Sequence, residues 1–185
     1  MSQGKGRGKF KRSRPKPEFD QQIVDLARVT RVTKGGKQMS FRVAVVIGDR
    51  KGRVGYGVQK GKDVQIAVEK AVNQAKKKMI LVPIAKETIL HRVESKYKAA
   101  KVMIKPAPRG TGIIAGSVVR VVLEFAGVPN ASAKMIGKTN NKINNVKAAF
   151  EALQSFNRSA LKNSKKSVPE KNKSIDTEKS SKEEK

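Results

Sequence analysis

Two short stretches of the chain, 28–37 and 48–57, combine basic side chains with glycines. In the first, arginines and lysines flank the pair Gly35-Gly36, and in the second they lie between and beside Gly48 and Gly52. Arginine and lysine contact phosphate oxygens, and glycine lets the backbone approach a ligand closely. The chemistry that these residue types could perform is therefore the binding of a polyanion through its phosphates.

Residues that usually perform catalysis or bind metals are scarce. The chain has no cysteine and a single histidine, His91, which argues against a disulfide framework, a thiolate metal site and a serine triad. The acidic residues between 21 and 157 are spread along the sequence, so an acid–base pair or a Mg²⁺ cluster would have to be assembled from distant positions. We predict no catalytic residues, no metal, no cofactor and no small-molecule substrate.

The net charge of the chain indicates which class of partner it binds. The 185 residues include 42 Lys plus Arg and 15 Asp plus Glu, which gives a net charge of +27. Segments 1–20 and 158–185 are predicted to be disordered basic tails, the second rich in Lys, Ser and Glu, and the middle keeps +18. Such a charge repels itself unless a partner neutralises it. Counterion release favours nucleic acid, with acidic membrane surfaces and acidic proteins as the alternatives.

Membrane insertion and secretion have little support in the sequence. The longest apolar run, Val43–Ile47, is far shorter than the roughly 20 residues of a membrane span. The basic N-terminus is followed by no apolar segment of the kind found in secretory signals. We predict no membrane partner, and the lack of a transit-like leader favours a bacterial cytoplasmic location over an organellar one.

The first half of the chain is predicted to form a three-stranded antiparallel meander covered by a helix. Apolar alternation indicates strands at Ile23–Val32, Phe41–Ile47 and Arg53–Gln59, with glycine-containing turns between them. Asp63 is placed to cap a helix whose apolar residues recur at helical spacing from Val64 to Met79. Gly35-Gly36 then forms the tip of the first hairpin.

A second unit follows Pro83. Its predicted elements are the strands Ile89–Val93, Ala100–Ile104 and Ala133–Ile136 and the helices Ser117–Ala126 and 143–153. Gly127 is placed as the C-cap of the first of these helices. The predicted fold class is therefore α+β, with two small domains at 21–83 and 84–157.

Several glycine motifs resemble nucleotide-binding or RNA-binding loops but are incomplete. Gly110–Gly116 precedes a helix, yet the first acidic residue beyond it is Glu124, inside that helix, which does not fit a dinucleotide site. Gly137-Lys138-Thr139 lacks the earlier glycine of a P-loop. Gly52–Gly55 matches a KH loop but lies between strands. Gly55–Val58 resembles an RRM strand but lacks the basic residue before Gly55 and the second aromatic residue. Lysines and arginines that read phosphates and shape remain the best interpretation.

Three motifs in one order carry a resemblance to a known family. They are Arg28–Lys37, Gly48–Gly57 and Lys105–Gly116, the last followed by Arg120, Leu123, Glu124 and Ala126-Gly127. Over roughly 23–153 the chain resembles the bacterial-type small-subunit ribosomal protein S5 family. The resemblance implies an N-terminal domain similar to a double-stranded-RNA-binding domain, a C-terminal βαβ-type domain, and a structural role in the ribosome without catalysis.

The resemblance also implies partners. Family members bind small-subunit ribosomal RNA near the junction of body and neck, contact ribosomal proteins S4 and S8, line the path along which mRNA enters, and influence decoding accuracy. Residues 34–37 resemble the loop whose changes give spectinomycin resistance in the family. Arg50 and Lys51 depart from the small, polar residues that are common in their hairpin.

The predicted site residues fall into two sets. The predicted RNA-binding residues are Arg28, Arg31, Lys34, Gly35, Gly36, Lys37, Arg42, Arg50, Lys51, Arg53, Lys60 and Lys62. The predicted protein-contact and fidelity surface consists of Arg109, Gly110, Thr111, Gly112 and Arg120. An architectural nucleic-acid-binding protein outside the ribosome is the main alternative, and a nucleic-acid-dependent kinase built on Gly110–Gly116 is a second.

Overall fold

The computed structural model describes residues 18–156. The predicted disordered tails, 1–20 and 158–185, lie outside this range except for residues 18–20, where Asp20 begins the first strand. In chain order the elements are β1 (Asp20–Thr33), β2 (Gly36–Gly48), β3 (Arg53–Gly61), α1 (Val64–Lys77), β4 (Ile80–Leu81), β5 (Ile84–Ala85), β6 (Thr88–Ile89), β7 (Val93–Tyr97), β8 (Ala100–Pro106), β9 (Ile113–Ile114), α2 (Ser117–Ala126), β10 (Ala131–Met135) and α3 (Lys142–Gln154).

The first sheet has the order β1-β2-β3-β4 and is antiparallel throughout. The predicted meander is confirmed, and the two-residue strand β4 adds a fourth member that the sequence pattern did not indicate. The β1–β2 hairpin pairs from Asp20 with Gly48 to Thr33 with Gly36, with a register shift between Ile23 and Asp25. Strand β3 pairs with β2 only from Phe41 onward. The distal part of the hairpin therefore extends beyond β3.

Helix α1 packs closely against one face of this sheet because both surfaces carry small residues. The Asp63 carboxylate caps the helix, accepting a hydrogen bond of 2.7 Å from the backbone N–H of Val64. A Cβ added to Gly57 of β3 would lie 2.0 Å from the carbonyl oxygen of Ala71. The glycines around Tyr56 therefore allow helix and strand to touch, and this packing explains the motif that resembled an RRM strand.

The second sheet has the order β7-β8-β10-β9. Strands β9 and β10 are parallel and flank α2 in the chain, which confirms the βαβ-type unit. Helix α2 has the predicted bounds, and Gly127 closes it with φ 77°. The predicted strand Ile89–Val93 is wrong: Ile89 belongs to the two-residue β6, and β7 begins at Val93. A short apolar run does not indicate by itself where a strand begins.

The two sheets are joined through a shared core. Val46 and Val54 project from the face of the first sheet opposite α1 and pack with the buried residues of α2 and α3. The ring centroids of Tyr56 and Phe150 lie 4.6 Å apart across this contact. The first sheet is thus covered on both faces, by α1 on one side and by the second unit on the other.

Backbone hydrogen bonds link the β2–β3 turn to the end of α2. The backbone N–H of Arg50 donates to the carbonyl oxygen of Phe125 at 3.1 Å, and that of Gly52 donates to Ala126 at 2.9 Å. A Cβ at Gly48 would lie 2.2 Å from the Phe125 carbonyl oxygen. The last carbonyls of a helix have no partner within the helix. The turn supplies those partners and holds the two units together.

Candidate nucleic-acid interface

Most of the predicted RNA-binding residues lie at one end of the first sheet, on the β1–β2 hairpin and at the end of β3, where Lys60 lies on the strand and Lys62 directly after it. The basic members of this group, here called the hairpin cations, are Arg28, Arg31, Lys34, Lys37, Arg42, Lys60 and Lys62. Arg28 pairs with Phe41 across the hairpin, and Arg42 pairs with Lys60 on β3. Gly35 and Gly36 lie at the tip between Lys34 and Lys37. Residues far apart in sequence thus form one basic region.

The hairpin cations face both sides of the sheet. Opposite residues in an antiparallel pair share a face, and neighbours along a strand alternate. Arg28 and Lys37 accordingly lie on the α1 side, with Phe41, while Arg31 and Arg42 lie on the other side. A ribbon with positive charge on both faces can contact phosphates on two sides at once.

The tip of the hairpin is open to a ligand. Among residues 18–156, no heavy atom lies within 4 Å of a Cβ added at Gly35 or Gly36, and Gly36 has φ +146°, in the range that favours glycine. Lys34 and Lys37 are exposed beside them. The Thr33 hydroxyl donates to the carbonyl oxygen of Gly36 at 3.1 Å, which fixes the turn. The backbone of the tip can therefore approach a nucleic acid.

Arg42 is the least free of the hairpin cations. Its Nη2 atom lies 3.6 Å from Oδ2 of Asp25, and Lys142 of α3 lies 3.8 Å from Oδ1 of the same carboxylate. The Nε atom of Arg42 is buried and has no hydrogen-bond partner among residues 18–156. Arg42 therefore takes part in a contact between the two units as well as in the basic region.

The remaining predicted cations, Arg50, Lys51 and Arg53, lie at the opposite end of β2. Lys37 and Gly48 are eleven positions apart on β2, a distance of about 36 Å along a strand. Arg50 Nε lies 3.0 Å from Asp20 Oδ2, and Arg53 Nε lies 2.8 Å from Asp49 Oδ2. The structure therefore does not bring these three residues together with the hairpin cations, and two of them form ion pairs.

Asp49 organises this turn. Its Oδ1 atom accepts hydrogen bonds from the backbone N–H groups of Lys51 and Arg53, at 2.8 and 3.0 Å. Partial burial tends to raise the pKa of the Asp49 carboxyl, but these two donors and the Arg53 guanidinium together hold the pKa below its ordinary value. Asp49 is therefore ionised at neutral pH and keeps the turn in the shape that contacts α2.

The predicted protein-contact residues lie in two places. Arg109 to Gly112 form the loop between β8 and β9, where Arg109 Nε is 3.4 Å from a Glu87 carboxylate oxygen. Gly110 and Gly112 have φ of +85° and +72° and open space around an added Cβ. Arg120 is exposed on the first half of α2. The loop carries the conformations that require glycine at those positions.

Asn130 holds this loop in place and was missed by the sequence analysis. Asn130 is only 6% exposed to solvent. Oδ1 accepts from the backbone N–H of Gly112 at 3.0 Å, and Nδ2 donates to the carbonyl oxygen of Glu87 at 3.3 Å. Its own carbonyl oxygen accepts from the Thr88 hydroxyl at 2.8 Å. An asparagine after Pro129 predicts a turn, but its partners come from 18 and 43 residues away.

Two other kinds of feature to consider in the described part of the chain are a metal site and a membrane-spanning helix. Between residues 18 and 156, no three His, Cys, Asp or Glu side chains are grouped in a way that could hold a metal ion. In the same range no helix combines the length and the apolar character needed to cross a bilayer. The exposed hairpin cations can contact phosphates. The open space around Gly35 and Gly36 would let the backbone of the tip approach a partner.

Two known families match the chain. The family described as "Ribosomal protein S5, N-terminal domain" matches residues 19–83, and "Ribosomal protein S5, C-terminal domain" matches residues 95–166. The first match covers the four strands of the first sheet and helix α1. The second covers both α2 and α3 and continues past the last described residue.

Curated proteins from several organisms are similar to the chain. "Small ribosomal subunit protein uS5c" of Spinacia oleracea is 49% identical over 80% of this chain and 48% of its own length. "Small ribosomal subunit protein uS5" of Mycoplasma mobile is 49% identical over 76% of this chain and 58% of its own length. "Small ribosomal subunit protein uS5c" of Rhodomonas salina is 49% identical over 74% of this chain and 81% of its own length. The matched part thus spans about half the length of the first two relatives and most of the third.

Proposed function

Since the chain belongs to the ribosomal protein S5 family, we propose that it is a structural constituent of the small ribosomal subunit and binds the RNA of that subunit. The observation that carries the proposal is the β1–β2 hairpin, which presents cations on both faces and at its tip. The names of the relatives, which place them in the small ribosomal subunit, support the same conclusion. The role is structural, without a catalysed reaction.

The proposed mechanism is counterion release combined with recognition of shape. Each cation that contacts a phosphate releases condensed counterions, so affinity falls steeply with salt. Phosphate contacts position a protein on RNA and carry no sequence information. The protruding hairpin would enter a space between RNA segments, with Arg28 and Lys37 on one side and Arg31 on the other. The glycines at the tip would let backbone approach the RNA.

The finer parts of the proposal concern neighbours within the subunit. We place contacts with ribosomal proteins S4 and S8, and the influence on decoding accuracy, on the Arg109–Gly112 loop and on Arg120. The hairpin would lie near the junction of body and neck, close to the path along which mRNA enters. The glycine loop, rigidly held by Asn130, supports this placement because a fixed loop can serve as a contact surface. A bacterial cytoplasmic ribosome remains the predicted location.

The test is sedimentation of the tagged full chain from gently lysed cells on a sucrose gradient. The proposal predicts stoichiometric migration with the small ribosomal subunit that survives a high-salt wash. Migration as free protein, or loss from the subunit at modest salt, would contradict it. That outcome would favour an architectural nucleic-acid-binding protein outside the ribosome.

A further inference from the structure

The second sheet has a face that no helix of the described chain covers. Helices α2 and α3 both pack on the opposite face, where Val102 and Ile104 of β8 are buried. The residues that alternate with these point away from the helices. Four lysines occupy the uncovered face, and we call them the lysine face: Lys96, Lys101, Lys105 and Lys134. None of the four belongs to the predicted RNA-binding or protein-contact residues.

The four lysines are neighbours through strand pairing. Lys96 of β7 lies directly opposite Lys101 of β8, which brings their Cβ atoms to about 5 Å. Lys105 lies opposite Ser132 of β10, and Lys134 is two residues further along β10. They come from three adjacent strands, so the charge spreads across the sheet and does not follow a single strand.

This arrangement is unfavourable for the isolated protein. Like charges placed directly opposite each other on a sheet destabilise it. The acidic residue on the same face is Glu94, which is 3.1 Å from Lys101 Nζ and also pairs with Arg92. Lys96, Lys105 and Lys134 are exposed and form no ion pair within residues 18–156. A negatively charged partner would relieve the repulsion.

We propose that the lysine face is a second phosphate-binding surface, which contacts the backbone of folded RNA independently of the hairpin. This inference rests on the proposed function, because it assigns a further part of the same RNA-binding role to the second unit. The hairpin lies at one end of the first sheet, whereas the lysine face belongs to the second sheet. The chain would therefore bridge two separate RNA segments.

The residue types favour RNA over an acidic protein as the occupant. Protein–protein interfaces are depleted in lysine relative to the rest of the surface. The face has no aromatic residue at its outward positions, which excludes stacking on unpaired bases as its main interaction. Lysine ammonium groups on long, flexible stems suit phosphate contacts that do not depend on sequence. The surface is thus matched to the backbone of structured RNA.

The experiment measures binding of the purified full chain to in vitro transcribed small-subunit ribosomal RNA between about 50 and about 200 mM KCl. The face variant carries K96Q, K101Q, K105Q and K134Q. A matched control carries K70Q, K77Q, K86Q and K138Q, four exposed lysines outside the lysine face, two of them on α1, with the same change in net charge. A third variant carries R28Q, R31Q, K34Q and K37Q in the hairpin. Thermal unfolding checks that each variant is folded.

The face variant should flatten the slope of log affinity against log salt by roughly 2 to 4, since each lost phosphate contact reduces it by about 1. The control should change it by less than about 1. The effects of face and hairpin variants should add, because the two surfaces belong to different sheets and share no strand pairing or ion pair. Equal slopes for the face variant and the control would overturn the proposal.

Chemical acetylation gives a second readout that does not depend on substitution. Bound RNA should protect Lys96, Lys105 and Lys134 from acetylation and leave Lys70 and Lys138 reactive. Reactivity of the lysine face that is unchanged by bound RNA would overturn the inference and leave the hairpin and the proposed function standing. A wild-type chain that does not bind the ribosomal RNA at all would instead overturn the proposed function.

Discussion

At the scale of single residues, Asp49 links the charge of the β2–β3 turn to stability. Its side chain is only 9% exposed, and its folded-state pKa lies below the ordinary value. The ionised carboxylate therefore adds stability above the unfolded-state pKa of about 3.9, and this contribution is lost as pH falls through the lower folded-state pKa. The variant Asp49→Asn keeps an acceptor oxygen and removes the charge.

We expect Asp49→Asn to lower the free energy of unfolding by about 1 kcal/mol at pH 7, the difference between charged and neutral hydrogen bonds. The difference from wild type should shrink towards zero as the pH falls through the lowered folded-state pKa, because the wild-type carboxyl is then protonated as well. Urea unfolding across this pH range measures both effects. Glu69→Gln, on the exposed side of α1, controls for loss of a negative charge. A difference that stays constant down to acid pH would contradict the assignment.

Gly57 and Gly35 form a matched pair for testing why glycines occur in the motifs. An added Cβ at Gly57 meets the backbone of Ala71, whereas one at Gly35 meets no atom of the described residues within 4 Å. Gly57→Ala should destabilise the protein by about 3 kcal/mol, because overpacking against backbone cannot be relieved by a rotamer change. Gly35→Ala should change stability by less than about 0.5 kcal/mol. Thermal and urea unfolding distinguish the two, and similar values would refute the packing explanation.

At the scale of residues, the sequence predicted the helix-capping residues and did not predict side-chain contacts between residues far apart in the chain. The capping residue Asp63 and the C-cap Gly127 were predicted because their partners lie within a few residues along the chain. Asn130 was missed because its partners lie 18 and 43 residues away. The need for glycine at position 57 comes from Ala71, which lies against it in the fold and is 14 positions away in the sequence.

At the scale of elements, the β1–β2 hairpin is where the proposed RNA contact is tested most directly. Replacing Lys34 and Lys37 with Ala should weaken binding to small-subunit ribosomal RNA and reduce the salt slope by about 2. Replacing Arg50 and Lys51 with Ala should reduce it less, because Arg50 pairs with Asp20 and the turn faces α2. Salt titrations of both double variants measure this. An unchanged slope for the Lys34 and Lys37 variant would remove these lysines from the RNA contact.

Elements were predictable where local signals agreed. Helix α2 has apolar residues at helical spacing and a glycine at its end, and its predicted bounds are confirmed. Strand β4 has only two residues and exists because it pairs with Arg53 and Val54. The run Ile89–Val93 is divided because Ile89 pairs with Ile84 while Val93 pairs with Ile104. Such pairings depend on contacts that periodicity alone does not contain.

At the scale of the whole molecule, the two units meet in a shared core, and a second apolar cluster lies between the first sheet and α1. Strand β2 is apolar on both faces, with Val43, Val45 and Ile47 under α1 and Val46 against the second unit. The sequence shows that both faces are apolar, and it does not show which segment covers the second face. Two separate domains were the expectation from the break near Pro83. The structure shows that residues of both domains together form the buried core between them.

This shared core predicts that the described chain unfolds as one cooperative unit. Ile47 is fully buried and packs with α1 in the first unit, and Ile47→Val should cost about 1 kcal/mol. If unfolding is global, amide exchange of β8 in the second unit should accelerate about fivefold, as much as that of β2. Ile114→Val, at a residue 58% exposed, is the matched control and should leave both rates unchanged. Hydrogen exchange followed by mass spectrometry measures the two strands in one experiment. Acceleration confined to β2 would show that the domains unfold separately, because a perturbation in one core would then have no effect on the other.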